Sequence, residues 1–218
     1  RGNVPRRLVY VVNRRTVVDQ TTDEVEKYRK AIEENPDLKP FRDRLGERGL
    51  ALSTLRGQFA DNREWSADPS RPAVICGTVD MIGSRLLFSG NGVGRKSRPL
   101  HAGFLGQDAL LIHDEAHLEP AFQTLIETIR DEQSRCKDFR PFQVMELTAT
   151  SRGKERQFEL TAQDLENAVV RQRIDARKAI RLEPLSDAKK LAEQLAAKAL
   201  EFSDRNRAVL VFARTVDD

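Results

Sequence analysis

The hydrophobic residues of the chain occur in short, uninterrupted runs that are separated by charged or amphipathic stretches. Apolar runs without alternation are typical of strands buried on both faces, as in a parallel sheet. Such runs predict strands at residues 8–12, 73–76 and 109–112, and two interrupted apolar stretches predict further strands at 50–55 and 144–147. The stretches between them predict helices over 16–31, over 79–88 and from Pro120 onwards. This alternation predicts an α/β domain with an open, mostly parallel sheet and helices on both faces.

The pattern changes in two places. Residues 90–107 hold five glycines and one proline, so we predict a long loop there. After residue 152 the chain is dominated by charge, until Ser186 is expected to cap an amphipathic helix and residues 208–212 predict another buried strand. We therefore divide the chain into a first domain, 1–152, and a second part, 153–218, that holds a linker and the beginning of another α/β domain.

Composition narrows the class of protein only a little. The chain has 218 residues, of which 33% are charged, and its net charge of +3 permits a polyanionic partner without requiring one. Cys76 and Cys136 are too few for a disulfide framework, which favours a reducing, cytoplasmic compartment. No apolar stretch approaches the ~18 residues of a membrane span, so no membrane partner is expected.

The most informative stretch is 109–117, where a predicted buried strand runs directly into two carboxylates, Asp114 and Glu115. Parallel sheets place ligands at the carboxyl ends of their strands. Two adjacent acids there match the Walker-B arrangement, in which one carboxylate holds Mg²⁺ and the next serves the attacking water. The alternative is a helix that begins with acidic residues, which the helix dipole favours.

Histidines flank these acids and suggest two metal sites as further alternatives. His113 and His117 are four residues apart, as in the zinc-binding His-Glu-x-x-His helix, but Asp114 occupies the place of the glutamate. His113-Asp114 also resembles the doublet of metal-dependent phosphohydrolases, which need several more histidines, whereas only His101 remains. Both metal sites are therefore disfavoured.

Residues 90–97 almost spell a phosphate-binding P-loop, but Arg95 stands where the last glycine is required. No other stretch fits the pattern. The site is therefore either inactive, or its phosphate-binding half precedes Arg1. The segment 81–107 carries four basic residues and no acid, which predicts a basic loop that contacts a nucleic-acid backbone or is simply solvated.

Together these stretches resemble the DEAH-box superfamily 2 helicases, and most closely the CRISPR-associated helicases of type I systems. The likeness is most specific at residues 114–117, which spell Asp-Glu-Ala-His, and at 147–151, which match the Ser/Thr-Ala-Thr motif. Residues 11–20 and 75–80 resemble two motifs that grip the nucleic-acid strand, and 171–182 with 209–212 resemble the entry to the second domain of that family.

The resemblance implies two RecA-like domains, ATP and Mg²⁺ as cofactors, and single-stranded DNA and a CRISPR effector complex as partners. Asp114 would hold Mg²⁺ through water, Glu115 would activate the attacking water and His117 would report the nucleotide state. Thr148 and Thr150 would couple hydrolysis to movement, unless they are ordinary hydroxyls at a strand end. The implied nucleic-acid contacts are Arg14, Arg15, Gln20, Arg56, Thr78, Asp80 and Arg85, although a solvated role is the alternative for each arginine.

The chain also lacks several motifs of that family, and these differences limit the function that we expect of it. The chain lacks the Gly-Lys-Ser/Thr loop, the arginine motif of the second domain and a histidine-rich nuclease domain. We therefore expect it to be the middle of a helicase and to be inactive alone. The alternatives are a non-catalytic nucleic-acid-binding or scaffolding module, and a DEAH-type ATPase that remodels RNA or protein.

Trp65 is expected to pack against the domain, with stacking on a base as its alternative.

Overall fold

The computed structural model describes residues 4–57, 62–90, 92–148, 158–177, 179–184, 187–202 and 208–212. It divides into two compact units, Arg1–Lys154 and Glu155–Asp218. None of the helices in these ranges is both long enough and apolar enough to cross a bilayer. The predicted threonine Thr150 lies outside the described residues.

The first unit is built on a five-stranded sheet in which all neighbouring strands are parallel. Its strands are β1 Arg7–Val12, β2 Ala51–Leu55, β3 Ala73–Thr78, β4 Ala109–Asp114 and β5 Gln143–Leu147. Their order across the sheet is β2-β3-β1-β4-β5. The α/β class and the parallel sheet predicted from the apolar runs are confirmed.

Helices connect these strands. They are α1 Arg15–Glu34, α2 Lys39–Leu45, α3 Glu64–Ala67, α4 Val79–Leu86, α5 Arg98–Gly106 and α6 Pro120–Cys136. Short 3₁₀ turns occur at Pro36–Leu38, Arg95–Ser97 and Ala116–Leu118. The predicted helices that begin near Thr16, at Val79 and at Pro120 are confirmed.

Helices cover both faces of the sheet. On one face, Val18 of α1 packs with Val12, Leu52 and Cys76 in a small core. A larger core lies on the other face, where α3 to α6 pack against the strands. Its most buried helical side chains are Trp65, Ile82, Leu105 and Ile126. Because successive side chains of a strand point to opposite faces, the odd-numbered residues of β1 face the larger core and the even-numbered ones face the smaller core.

Two local predictions are wrong. Residues 90–107 are not one long loop, because α5 occupies the second half of that range. Its proline lies in the first turn, where a helix tolerates the missing N–H group, and Leu105 is fully buried. The strand predicted at 73–76 is also too short, because β3 continues through Gly77 to Thr78. A Cβ atom at Gly77 would come within 2.9 Å of Ile82, so the glycine permits close packing of α4 on the strand.

The second unit is helical in the residues that the structure describes. It contains α7 Ala162–Glu166, α8 Ala168–Ile174 and α9 Leu191–Leu200, with a 3₁₀ turn at Ala188–Lys190. The expected amphipathic helix is found as α9, whereas its expected cap, Ser186, lies outside the described residues. The strand predicted at 208–212 is wrong, since these residues have no strand structure and Phe212 is 81% exposed. Strands need a paired neighbour, and the described part of this unit contains none.

Candidate functional site

The parallel sheet brings most of the predicted site residues to one edge. Its strands are in register, with Val12 beside Thr78 and Asp114 beside Leu147, so their carboxyl ends lie together. The predicted residues that end a strand or lie within three residues of its end are Arg14, Arg15, Arg56, Thr78, Asp80, Asp114, Glu115, His117 and Thr148. Ligands of open α/β sheets bind at this carboxyl edge.

Asp114 is held by two hydrogen bonds at the end of β4. Its Oδ2 atom accepts a bond of 2.5 Å from the hydroxyl of Tyr10, and its Oδ1 atom accepts one of 2.9 Å from the backbone N–H of Glu115. Tyr10 on β1 lies directly beside Ile112 on β4. Ile112 and Asp114 are two residues apart and therefore point to the same face of the sheet, so the Tyr10 side chain lies near that of Asp114. Burial and then the bond to Asp114 raise the pKa of Tyr10, so the phenol stays protonated and donates. The carboxylate is therefore fixed in orientation.

Glu115 occupies a backbone conformation that non-glycine residues rarely adopt. Its φ angle is +54° and its ψ angle is +41°, which lie in the left-handed region. The turn exposes its side chain and lets the chain enter the 3₁₀ turn that follows β4, where Ala116 is buried. Left-handed conformations are costly and cluster at functional sites, which makes Glu115 a candidate for a chemical role.

His117 connects Glu115 to the end of β5. Its Nδ1 atom lies 3.4 Å from Glu115 Oε2 and 3.2 Å from Thr148 Oγ1. In a neutral imidazole, Nδ1 either donates a hydrogen bond or accepts one, depending on the tautomer. A protonated Nδ1 can donate to the glutamate, whereas an unprotonated one accepts from the threonine hydroxyl. His117 therefore contacts groups that follow the ends of both β4 and β5.

His113 belongs to the core and not to this edge. It is fully buried, its Nδ1 atom lies 2.7 Å from Gln123 Oε1, and its ring packs edge-on against Phe122. Successive residues of a strand point to opposite faces, so His113 and Asp114 do not share a site. The described residues hold no cluster of three or more histidine, cysteine or acidic side chains that could bind a metal. This geometry disfavours the zinc and His-Asp alternatives.

Basic side chains border the same edge. Arg14 and Arg15 are exposed at the start of α1, and no carboxylate in the described part of the chain pairs with them. Arg56 follows β2 and forms an ion pair of 2.5 Å with Asp19 of α1. Gln20 is exposed one residue after that aspartate. These groups form a polar surface beside the acids, as a contact with a phosphate backbone requires.

The other predicted nucleic-acid residues fit less well. Thr78 is only 8% exposed, and Asp80 is exposed in the first turn of α4. Arg85 is buried in the last turn of that helix, where its Nη1 atom donates to the carbonyl oxygen of Met81 over 2.9 Å. A guanidinium buried in this way does not reach a phosphate at the surface. The predicted contact of Arg85 is therefore not supported.

Trp65 is part of the larger core. It is 1% exposed and its ring packs edge-on against His101 and Phe104, with centroids 4.8 and 6.1 Å away. The expectation that it packs against the domain is confirmed.

The residue that sequence reasoning missed is Tyr10. Its hydroxyl group in the middle of an apolar strand is the one feature of the sequence that could have indicated a polar partner at the edge of the sheet.

Comparisons of the chain with protein-family models, with curated proteins and with solved structures give no match.

Proposed function

We propose that the chain is part of an ATP-hydrolysing motor that moves along nucleic acid and that is related to the DEAH-box superfamily 2 helicases. The observation that supports this most is the position of His117 Nδ1 between Glu115 and Thr148. In such a motor, the state of the hydrolytic acid must be communicated to a neighbouring strand. A histidine in contact with both groups provides that connection.

Within this proposal, Asp114 and Glu115 have separate roles. Mg²⁺ in nucleotide-hydrolysing enzymes is held by one or two carboxylates together with substrate phosphates and water. Asp114 fits a water-mediated contact, because each of its oxygens keeps a lone pair beside the bond it already accepts. The metal neutralises charge on the phosphates when bound. Glu115, which is exposed, would orient the attacking water and take its proton.

The triphosphate itself needs a second half-site. The sequence contains no Gly-x-x-x-x-Gly-Lys-Ser/Thr motif, and the nearest match carries Arg95 at the required glycine. The proposal therefore assigns the phosphate cradle to sequence outside these 218 residues and expects the chain alone to be inactive. Thr150 would join Thr148 in coupling hydrolysis to movement.

The proposed strand-binding surface lies at the same edge as the acids. Arg14, Arg15, Arg56 and Thr78 would contact phosphate oxygens, and Gln20 and Asp80 belong to the same proposed nucleic-acid-binding surface. Backbone contacts of this kind position a strand without reading its sequence. The proposed substrate is single-stranded DNA, and the proposed setting is CRISPR interference in the cytoplasm beside an effector complex, as in the helicases that the motifs resemble.

The test is hydrolysis of ATP by the full-length protein that contains this chain, measured with no nucleic acid, with single-stranded DNA and with RNA. We expect DNA to stimulate turnover, and we expect Asp114→Asn to lose it. Asp138→Asn, a change in an exposed loop, is the matched control and should hydrolyse ATP normally.

The missing P-loop motif favours one further candidate, a nucleic-acid-binding module that keeps the ATPase fold without catalysis. This candidate predicts no hydrolysis under any condition while DNA binding persists. Stimulation by RNA but not by DNA would instead indicate a remodelling ATPase, and would contradict the DNA motor.

A further inference from the structure

A polar pocket lies at the edge of the sheet opposite the acids, where the strands begin. It has a volume of about 340 Å³ and is lined by Arg6, Arg7, Gln107, Asp108, Phe139 and Arg140. These residues come from the start of β1 and from the segments that lead into β4 and β5. The six residues of β1 at ~3.3 Å each separate this amino-edge pocket from the acids by roughly 20 Å.

Asp108 holds the pocket together. Its Oδ2 atom lies 3.1 Å from Arg140 Nη1 and 3.7 Å from Arg6 Nε, and its Oδ1 atom accepts from the backbone N–H of Arg6. Its own backbone N–H donates to the carbonyl oxygen of Arg140 over 2.9 Å. One half-buried carboxylate therefore fixes three segments of the chain and has two guanidinium groups as its counter-ions.

A third arginine adds charge that this carboxylate does not neutralise directly. Arg7 is 7% exposed, and its Nη groups donate to the main-chain carbonyl oxygens of Pro69 and Gln107. Its Nε atom is buried and has no hydrogen-bond partner among the described residues. Burial lowers the pKa of Arg7, which reflects the cost of keeping this cation away from water. Three arginines against one aspartate leave the pocket with a formal charge of +2.

Phe139 gives the pocket an aromatic wall. Its side chain is 80% exposed, and the guanidinium carbon of Arg140 lies over its ring, 5.6 Å from the centroid. Because most of this side chain is exposed, its ring offers a surface on which a planar group can stack. Planar bases stack on such rings, and each stacked base contributes considerably to the affinity of nucleic-acid-binding proteins.

We propose that the amino-edge pocket binds one nucleotide unit, with its base on the exposed face of Phe139 and its phosphate at the N–H groups of Arg6 and Arg140 that Asp108 does not occupy. The positive charge, the exposed ring and a volume at the lower end of the range for small-ligand sites fit a phosphate joined to a planar base. The unit comes either from a free nucleotide or from a single-stranded nucleic acid. The proposal does not depend on hydrolysis at the opposite edge.

The chain provides its own control pocket at the same edge of the sheet. Leu45, Glu47, Arg48, Asp68, Ser70, Arg71 and Pro72 line a cavity of about 500 Å³. Two arginines there face two acids, and Arg48 pairs with Asp68 over 2.7 Å. This pocket is larger but neutral, and it has no aromatic side chain. Substitutions in it test whether any surface arginine would give the same effect.

The experiment measures binding of three probes to the 218-residue chain without Mg²⁺: AMP, inorganic phosphate, and a labelled oligo-dT of about twelve nucleotides. Of AMP and oligo-dT, one will bind the wild type more tightly. Phe139→Ala should weaken the binding of that probe roughly tenfold, because the substitution removes the stacking surface. Arg6→Gln should weaken it as well and lower the salt dependence of oligo-dT binding by about 0.7 in the logarithmic slope. Both side chains are well exposed, so folding should be preserved.

The controls are Phe41→Ala, at another exposed phenylalanine, and Arg48→Gln in the neutral pocket, and both should bind as the wild type does. Every variant is also made in an Arg14→Gln/Arg15→Gln background, which removes the proposed strand surface at the carboxyl edge. Losses of affinity in Phe139→Ala and Arg6→Gln that persist in this background support the pocket. The probe that binds the wild type more tightly then identifies the ligand. Wild-type affinity of Phe139→Ala, equal losses in the controls, or binding of phosphate alone would overturn the proposal.

Discussion

The hydroxyl of Tyr10 donates a hydrogen bond of 2.5 Å to Asp114 Oδ2 and so joins the middle of β1 to the end of β4. Bonds to a charged acceptor are stronger than neutral ones, and this one is partly shielded from water. Tyr10 thereby positions the first acid of the candidate site. Its contribution can be measured separately from any chemistry.

Tyr10→Phe removes the hydroxyl and keeps the ring. We expect the free energy of unfolding to fall by about 1–2 kcal/mol, because Asp114 loses a charged hydrogen bond. Urea denaturation of the 218-residue chain measures this change. Tyr28→Phe is the matched control, since that side chain is largely exposed and should change stability by less than about 0.5 kcal/mol. Equal effects of the two substitutions would contradict the role of Tyr10.

The same pair predicts a dependence on pH. The fold raises the pKa of Tyr10 above its ordinary value of 10.0, so folding favours the protonated phenol. The stabilisation is therefore complete below pH 10.0 and is lost as the pH rises through the raised pKa. The difference in unfolding free energy between the wild type and Tyr10→Phe should be constant near neutrality and shrink only above about pH 10. A difference that shrinks on acidification from pH 9 to 7 would contradict this assignment.

The left-handed backbone of Glu115 predicts an inversion of the usual glycine effect. Glu115→Gly should be more stable than Glu115→Ala by about 1 kcal/mol, because glycine adopts a positive φ angle without steric cost. At Lys30, an exposed position inside α1, glycine should instead be less stable than alanine by about 1 kcal/mol. Thermal or urea unfolding of the four variants checks both signs. The same sign at both positions would be evidence against the observed turn.

Trp65 is the single tryptophan of the chain, so its fluorescence reports its own environment. Trp65→Ala should cost about 3–5 kcal/mol of stability, because it leaves a cavity beside His101 and Phe104. In the wild type, addition of single-stranded DNA should leave the emission unchanged. Quenching by DNA would support stacking on a base and contradict the packed position.

Much of the fold could be predicted because β1, β3 and β4 contain apolar runs that need cover on both faces. The carboxylates that follow the fourth run could be placed at the correct edge, since parallel strands end together. The helix α5 could not be predicted, because glycine and proline composition does not reveal that its proline lies in the first turn. The strand at 208–212 was predicted from local hydrophobicity, which does not supply a neighbouring strand.

Contacts between distant parts of the chain were beyond sequence reasoning. Tyr10 meets Asp114 only because β1 and β4 are neighbours in a particular register, and neither fact is written in the local pattern. Arg6 and Asp108 are likewise brought together across 102 residues. Sequence reasoning found the groups at the strand ends, whereas the structure supplied the partners that orient them.

The most direct test of the account is hydrolysis of ATP by the full-length protein carrying Glu115→Gln, in the presence of single-stranded DNA. The substitution keeps the size of the side chain and removes the base that would take a proton from water. We predict a loss of turnover of at least about a hundredfold, with unchanged binding of ATP and DNA. Glu119→Gln, in the same connection between β4 and α6, is the control and should retain activity. Normal turnover by Glu115→Gln would contradict the assignment of a hydrolytic site to this edge of the sheet.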